Sequence, residues 1–458
     1  MIALLRIAAV AVAGAALYQA GVVNGVVQLT PSPLGALFTT LAIGASFVLL
    51  VMALTGTGRG DALAAGPPAY AGPVRAAFVL ISLLALLGLA WLRGISTPPV
   101  HDATTYHNDA IALNECAAQN VLRGEDPYTK LDLFECYEQR GIGPDRTTPL
   151  RRGAFADVRV YPTGEQLDKV WNERARDGWA SDIEFVWRPS YPSLSIGLIL
   201  PWVALGWDTN VLYLSCLLAA MALVLIRAPA GLRPFVLTGL FAAVSVTAFT
   251  VGGSSDLLYA LPLVAAWLWR ERRWSAVPLA IALAVKQLAW FFAPFYLIQV
   301  VARHGWREGA LRLTIAGAIF AAANLPFVRW DARSWLLGVV SPISEPMFAR
   351  GAGLVFLSTN GVLPLFPATA YLAIEAIVGL IALGVAWRTR HTSPELGVVL
   401  AMLPLFFAWR SLFSYFFLLP LFAIAAISRM PTGDLAPDTA RRTGALTILA
   451  APARPERT

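Results

Sequence analysis

The fold class predicted for this 458-residue chain is an all-α polytopic membrane protein, with about 12 transmembrane helices, a folded outer loop and interfacial helices. Three observations predict it. First, 57% of the residues are hydrophobic and only 14% are charged, against about 25% charged in a soluble domain. Second, apolar runs close to the roughly 20 residues that cross a bilayer core recur along the chain. Their continuous apolarity excludes the alternation of barrel strands, and backbone groups in lipid must be paired within their own segment, so the spans are helices. Third, the basic residues gather in short connections beside those runs, as the positive-inside rule requires. The formal net charge of +7 therefore reads as membrane orientation and gives no reason to invoke nucleic acid.

The elements follow in order. Residues 1–96 hold three predicted helices, Leu4 to Val23, Leu34 to Leu54 and Ala76 to Trp91, with Arg59 and Arg75 in the cytoplasmic connection. The first carries an early Arg6 but no convincing cleavage site, which favours a span over a signal peptide. Residues 97–190 are dense in charge, Tyr and Trp, too long and too aromatic for a disordered linker, and are predicted as a small folded outer domain. Residues 191–427 form the core. Tyr191 to Leu205 is short and interrupted by Pro192 and Pro201, so it is placed at the outer leaflet as an interfacial helix. Helices then alternate over Val211 to Ile226, Phe235 to Val251, Leu257 to Trp269, Ala276 to Val285, Trp290 to Val301, Leu313 to Phe327, Ala368 to Trp387, Leu396 to Phe407 and Leu412 to Ile427. A second outer loop is expected at 328–364, and a disordered cytoplasmic tail at 428–458. No internal repeat suggests a carrier built from two halves.

The stretch His101 to Tyr128 leaves the third helix and carries two candidate catalytic carboxylates, Asp102 and Asp109. The run after Asp109 is a good helix former with Ile111, Ala118, Val121 and Leu122 along one side, and Gly124 fits the helix-ending position. Asp109 is thus either an N-cap or a base held at a rigid helix end. A base within reach of an acceptor hydroxyl contributes about 10² to 10⁴ in rate. Asp102 is a second candidate or a solvated loop charge. His101 and His107 lie close by and could ligate a divalent metal, although their spacing matches no metal motif and no metal is required. Of three cysteines, Cys216 sits in an apolar span; Cys116 and Cys136 share the large loop and are either a disulfide or two free thiols.

Lys286 ends an apolar helix. An intramembrane lysine costs about 2.5 to 3.5 kcal/mol and is a functional hypothesis by default; the alternative is a snorkelling anchor. Arg410 at the turn of the last two helices and Asp256 before Leu257 fall on the same outer side. Asp109, Asp256, Lys286 and Arg410 are therefore expected to converge on one face from distant parts of the chain. A carboxylate and cations at the outer leaflet suit a hydroxyl nucleophile and a lipid phosphate leaving group.

Several stretches then carry a family resemblance: DAIALNECAAQNVLRGEDPYT from Asp109, YPSLSIGLILPWVALG from Tyr191, AVKQLAWFFAPFYLI from Ala284 and SPISEPMFARGAGLVFLSTNG from Ser341. The chain resembles the GT-C-type membrane glycosyltransferases that use polyprenyl-phosphate sugars, within them the bacterial family related to the actinobacterial polyprenol-phosphate-mannose-dependent α-mannosyltransferases. The resemblance implies a GT-C-like bundle and an inverting transfer of mannose or another sugar from a polyprenyl-phosphate donor to a lipid or glycan acceptor. It implies Asp109 as base and Lys286 near the donor phosphate. Arg410 as a second phosphate contact follows from the expected topology, and Tyr191, Asp256, Arg188, Glu345, Arg350 and His107 are weaker candidates for substrate contact. Two rival readings are a transporter or flippase of lipid-linked sugars and a non-catalytic membrane scaffold. The scaffold would leave Lys286 and Asp256 without purpose.

Overall fold

The computed structural model describes residues 2–56, 109–176, 184–251 and 253–429. The predicted helix Ala76 to Trp91, together with His101, Asp102 and His107 and nearly all of the predicted tail, lies outside the described residues. The rest is helical, with one parallel pair of two-residue strands, Arg350–Gly351 and Arg410–Ser411. Among the described residues five helices are long and apolar enough to cross a membrane: Ala3–Gln28, Pro33–Leu54, Thr209–Arg227, Trp306–Ser344 and Ala368–Thr389, with a sixth if the bent pair Ala230–Ala242 and Val244–Thr250 is one span. This is the build of an all-α membrane protein.

Local sequence explains the long helices. Ser32 accepts a hydrogen bond from the Gly35 amide at 3.2 Å and Pro33 opens the helix, a good N-terminal arrangement for Pro33–Leu54. Asp208 caps Thr209–Arg227 through the Asn210 amide at 2.8 Å, and Arg227 sits in its last turn, where cations are favoured. Gly14 lets the first helix press on the bend at Ala243; a Cβ there would meet the Ala243 Cα at 2.9 Å.

The predicted boundaries need four corrections. The expected helix Phe235 to Val251 is two pieces, Arg233–Ala242 and Val244–Val251, bent by 56°. The expected loop 328–364 is helical up to Ser344, because Asp331 breaks the preceding helix and starts a new one, accepting from the Arg333 and Ser334 amides at 2.9 and 3.1 Å. Leu396 to Phe407 is not one helix: Pro404 cannot donate to an i−4 carbonyl, and the segment divides into Pro394–Leu396, Gly397–Leu400 and Pro404–Phe407. Leu412 to Ile427 shortens to Leu419–Ile427, with every residue of it buried. A helix apolar all round belongs in the middle of a bundle.

Leu194–Ala204 has 11 residues, about 16 Å at 1.5 Å per residue, too short for a bilayer core of about 30 Å. Asp109–Leu122 packs on it. On the other side Cys136 of helix Leu133–Gln139 is disulfide-bonded to Cys116, with Cα atoms 6.1 Å apart. Asp109–Leu122 is therefore buried on several sides, Asn114 and Glu115 included, while Leu122, expected on the packed face, is exposed. Gly124 ends the helix with φ +75°, as expected. Beyond it, residues 109–190 carry small aromatic cores. Phe134, Phe155 and Phe185 pack with Phe348, which joins this region to the segment after Ser344.

Arg270, in the connection after Leu257–Leu268, is buried. Its guanidinium meets both oxygens of Glu395 at 3.1 and 2.5 Å, and Trp267 Nε1 donates to the same carboxylate at 2.7 Å. Such fork-to-fork pairing satisfies most of the polar atoms it buries.

Candidate functional site

Three short buried helices stop at one place. Val244–Val251 ends there, Leu257–Leu268 begins after Asp256, and Ala276–Val285 ends at Lys286, whose backbone is extended (φ −152°, ψ 141°). Irregular backbone among buried apolar helices is tolerated where it lines a cavity. The cavity is about 970 Å³, at the upper end of the range for small-molecule sites.

Asp109, Tyr191, Asp256, Lys286, Glu345 and Arg410 all line it. The expected convergence of four charged groups from separate parts of the chain is thus found around one cavity. Asp109 is the first residue of its helix, and its Oδ1 accepts the Ala110 amide at 2.8 Å. Its Oδ2 accepts the Thr148 hydroxyl at 3.1 Å, and the Tyr137 hydroxyl donates to its carbonyl at 3.3 Å. Burial, and then the charge of Asp109, push the Tyr137 phenol well above its ordinary pKa, so it stays a donor.

Lys286 is neither a solvated anchor nor a free cation. It is buried and ion-paired to Asp256, with its Nζ 4.7 Å from the centre of the Tyr191 ring. Ser254 donates to the other Asp256 oxygen at 3.3 Å. Tyr191 lines the same cavity as Asp109 and carries the Lys286 ammonium over its ring, so base candidate, ring and ion pair share one space. Tyr415 lines the same cavity, together with Arg410 and Lys286. Arg410 Nη1 is buried without a hydrogen-bond partner among the described residues, a state that a ligand oxygen would relieve.

Other candidates fall elsewhere. Arg350 does not line the cavity: its backbone pairs with Arg410, its guanidinium lies 4.1 Å from the Tyr161 ring centre, and it donates to Gln28 at 2.9 Å. Arg188 is also off the lining, stacked 4.4 Å over Trp187. Glu345 lines the cavity but is paired with Arg152 at 2.7 Å. Asp102 and His107 lie outside the described residues, as does the metal reading built on His101 and His107. Among the described residues no group of three or more His, Cys, Asp or Glu side chains could hold a metal ion.

Sequence reasoning missed several lining residues. Thr148 sits in a loop that no local pattern links to Asp109. Gln287 bonds the Ser190 and Val339 carbonyls at 2.6 and 2.7 Å, tying together two segments whose proximity is purely tertiary. Glu375 did carry a signal: a lone carboxylate in the apolar run AYLAIEAIVGLIALGV.

The arrangement offers a carboxylate oriented by hydroxyls on one wall, and an unsatisfied guanidinium beside a neutralised lysine on another. No family model, no curated protein and no solved structure matches this chain.

Proposed function

We propose that the protein is an inverting glycosyltransferase of the GT-C type, a multi-pass cell-membrane enzyme of about 12 spans whose cavity faces the extracytoplasmic side. In this reading Asp109 takes the proton of an acceptor hydroxyl. The oxygen attacks the anomeric carbon of a polyprenyl-phosphate β-sugar. The bond from that carbon to the phosphate oxygen breaks, and polyprenyl phosphate leaves with the electron pair. Arg410 and Lys286 stabilise the charge on the departing phosphate, with Asp256 holding Lys286 in place. The sugar is mannose or another hexose or pentose, and the acceptor is a lipid or glycan.

The observation that carries the reading is the cavity itself, where Asp109, Arg410 and the Lys286–Asp256 pair meet from separate parts of the chain. The Cys116–Cys136 disulfide supports the extracytoplasmic side, since disulfides persist in oxidising compartments. The broken helices around Asp256 and Lys286 would also suit a carrier of lipid-linked sugars. The two readings separate in one assay. Purified protein is incubated with a panel of polyprenyl-phosphate sugars and extracted acceptor lipids, and released polyprenyl phosphate is measured. Release that disappears in Asp109→Asn supports the transferase. Transport of the intact donor across a vesicle membrane without release would replace it with the carrier.

A further inference from the structure

Three helices carry the chain away from the cavity. Leu257–Leu268 begins after Asp256 and ends before Trp269, and Ala276–Val285 begins after Ser275 and ends at Lys286. Thr209–Arg227 packs on Leu257–Leu268. Its Thr209 hydroxyl donates to Glu115 of the Asp109 helix at 2.5 Å. Its 19 residues then span about 28 Å at 1.5 Å per residue, close to the roughly 30 Å of a bilayer core. Arg227, Trp269 and Arg272 therefore gather at the end of the bundle away from Asp256 and Lys286.

A second, smaller pocket lies there, about 270 Å³, lined by Arg227, Leu268, Trp269, Glu271 and Arg272. That is just below the range for whole small-molecule sites and suits a headgroup. Its charges do not cancel. The Glu271 carboxylate is already engaged by Arg303 at 2.5 Å and Arg429 at 3.0 Å. Arg227 and Arg272 are exposed, and neither side chain has a hydrogen-bond or ion-pair partner among the described residues. Two free guanidinium forks over one pocket favour an anion with several oxygens, a phosphate above all.

The surroundings say what carries that phosphate. Thr209–Arg227 exposes Val211, Leu214, Leu218 and Ile226, which fall along one side of the helix. This bare apolar stripe ends one residue before Arg227. Trp274 is half exposed, its ring 5.7 Å from that of Trp269; tryptophan favours the boundary between hydrocarbon and water. The pocket thus sits where an apolar, lipid-facing surface meets a basic one.

We propose that this pocket holds the headgroup of an anionic phospholipid such as phosphatidylglycerol. Arg227 and Arg272 bind its phosphate oxygens, and an acyl chain lies along the stripe that ends at Ile226. The ammonium of a zwitterionic headgroup would find two guanidiniums and a carboxylate that is already paired. The site lies apart from the cavity, so the inference does not depend on the transferase reading.

The test uses the full chain in detergent and no sugar donor, so its outcome is separate from that of the transfer assay. Phosphatidylglycerol with a diazirine at the start of one acyl chain is photo-crosslinked and mapped by mass spectrometry. Label is expected on Ile226 and on residues 268–272, competed by dioleoyl phosphatidylglycerol and not by dioleoyl phosphatidylcholine, glycerol phosphate or inorganic phosphate. Arg227→Gln combined with Arg272→Gln is expected to weaken phosphatidylglycerol about 30-fold, equivalent to about 2 kcal/mol. Arg307→Gln combined with Arg388→Gln removes the same charge outside the pocket and is expected to leave affinity unchanged. Equal competition by phosphatidylcholine would overturn the proposal, as would labelling confined to other segments. Competition by the soluble phosphates would make this a site for a free anion. Equal losses in the two double variants would reduce it to general surface charge. The wild-type competitions decide the matter even if the pocket variant fails to fold.

Discussion

Breaking the Lys286–Asp256 pair one side at a time tests how the cavity is built. The two side chains are 10% and 5% exposed, so neither charge has water to fall back on. Lys286→Met leaves the Asp256 carboxylate buried, with Ser254 as its remaining side-chain donor among the described residues. Such a change costs about 3 to 5 kcal/mol, because the loss is the stranded charge rather than the pair's own attraction. Asp256→Asn leaves the ammonium stranded but still 4.7 Å from the Tyr191 ring centre. A desolvated cation–π contact retains about 0.5 to 2 kcal/mol, so this variant is expected to lose less. The double variant buries no unpaired charge and is expected to be more stable than Lys286→Met alone, with a coupling energy of about 3 kcal/mol. Reversible unfolding of the purified chain in detergent gives the three values. Single losses that simply add would refute the reasoning. Donor binding in the same variants separates the roles. If Lys286 contacts the phosphate, Lys286→Met weakens the donor and Asp256→Asn, by freeing the ammonium, tightens it. Weakening in both would make the pair a strut.

Three further outcomes are expected. Thr148→Val removes the hydroxyl that donates to Asp109 at 3.1 Å. Turnover should fall about ten-fold, equivalent to about 1.4 kcal/mol, with little change in KM, and Thr148→Ser should restore it; an unchanged rate would mean Thr148 does not orient the base. Cys116→Ala with Cys136→Ala opens a loop whose ends are 20 residues apart, costing about 3 kcal/mol. Wild type treated with reductant should melt at the variant's temperature, and no difference in melting would remove the disulfide as a support of the Asp109 helix. On Glu271, burial raises the pKa but ion pairs with Arg303 and Arg429 prevail and hold it at about 2, below the usual 4.5. Its stabilisation is complete above about pH 4.5 and is lost as pH falls toward 2. Thermal midpoints across that window should flatten in Glu271→Gln, and an unchanged slope would point to another group.

Much of the helical layout was legible in local pattern. Pro33–Leu54, Thr209–Arg227, Ala276–Val285 and Ala368–Thr389 lie within a few residues of their predicted bounds, because a long apolar run bounded by a cap or a proline leaves the backbone little choice. The pieces around Pro404 were misjudged because apolarity alone does not separate one long helix from several short ones, and the helix after Asp331 was taken for a loop because Pro, Gly and Trp interrupt the apolar pattern there. The candidate charges were visible for a similar reason: an ionisable group in or beside an apolar span stands out against its neighbours, as Lys286 and Asp256 did.

The sequence by itself determined that this chain is helical, apolar in long stretches, and marked by charges at Asp109, Asp256, Lys286 and Arg410. Tertiary structure alone decided that these charges share a cavity, that Lys286 is neutralised by Asp256 while an Arg410 nitrogen is left unsatisfied, and that Thr148 holds Asp109. The physical reason is range. Hydrophobic periodicity and capping act within a few residues and can be read along the chain. Ion pairs and cavity walls join residues 30 to 39 positions apart or more, and which of them meet depends on how the helices pack.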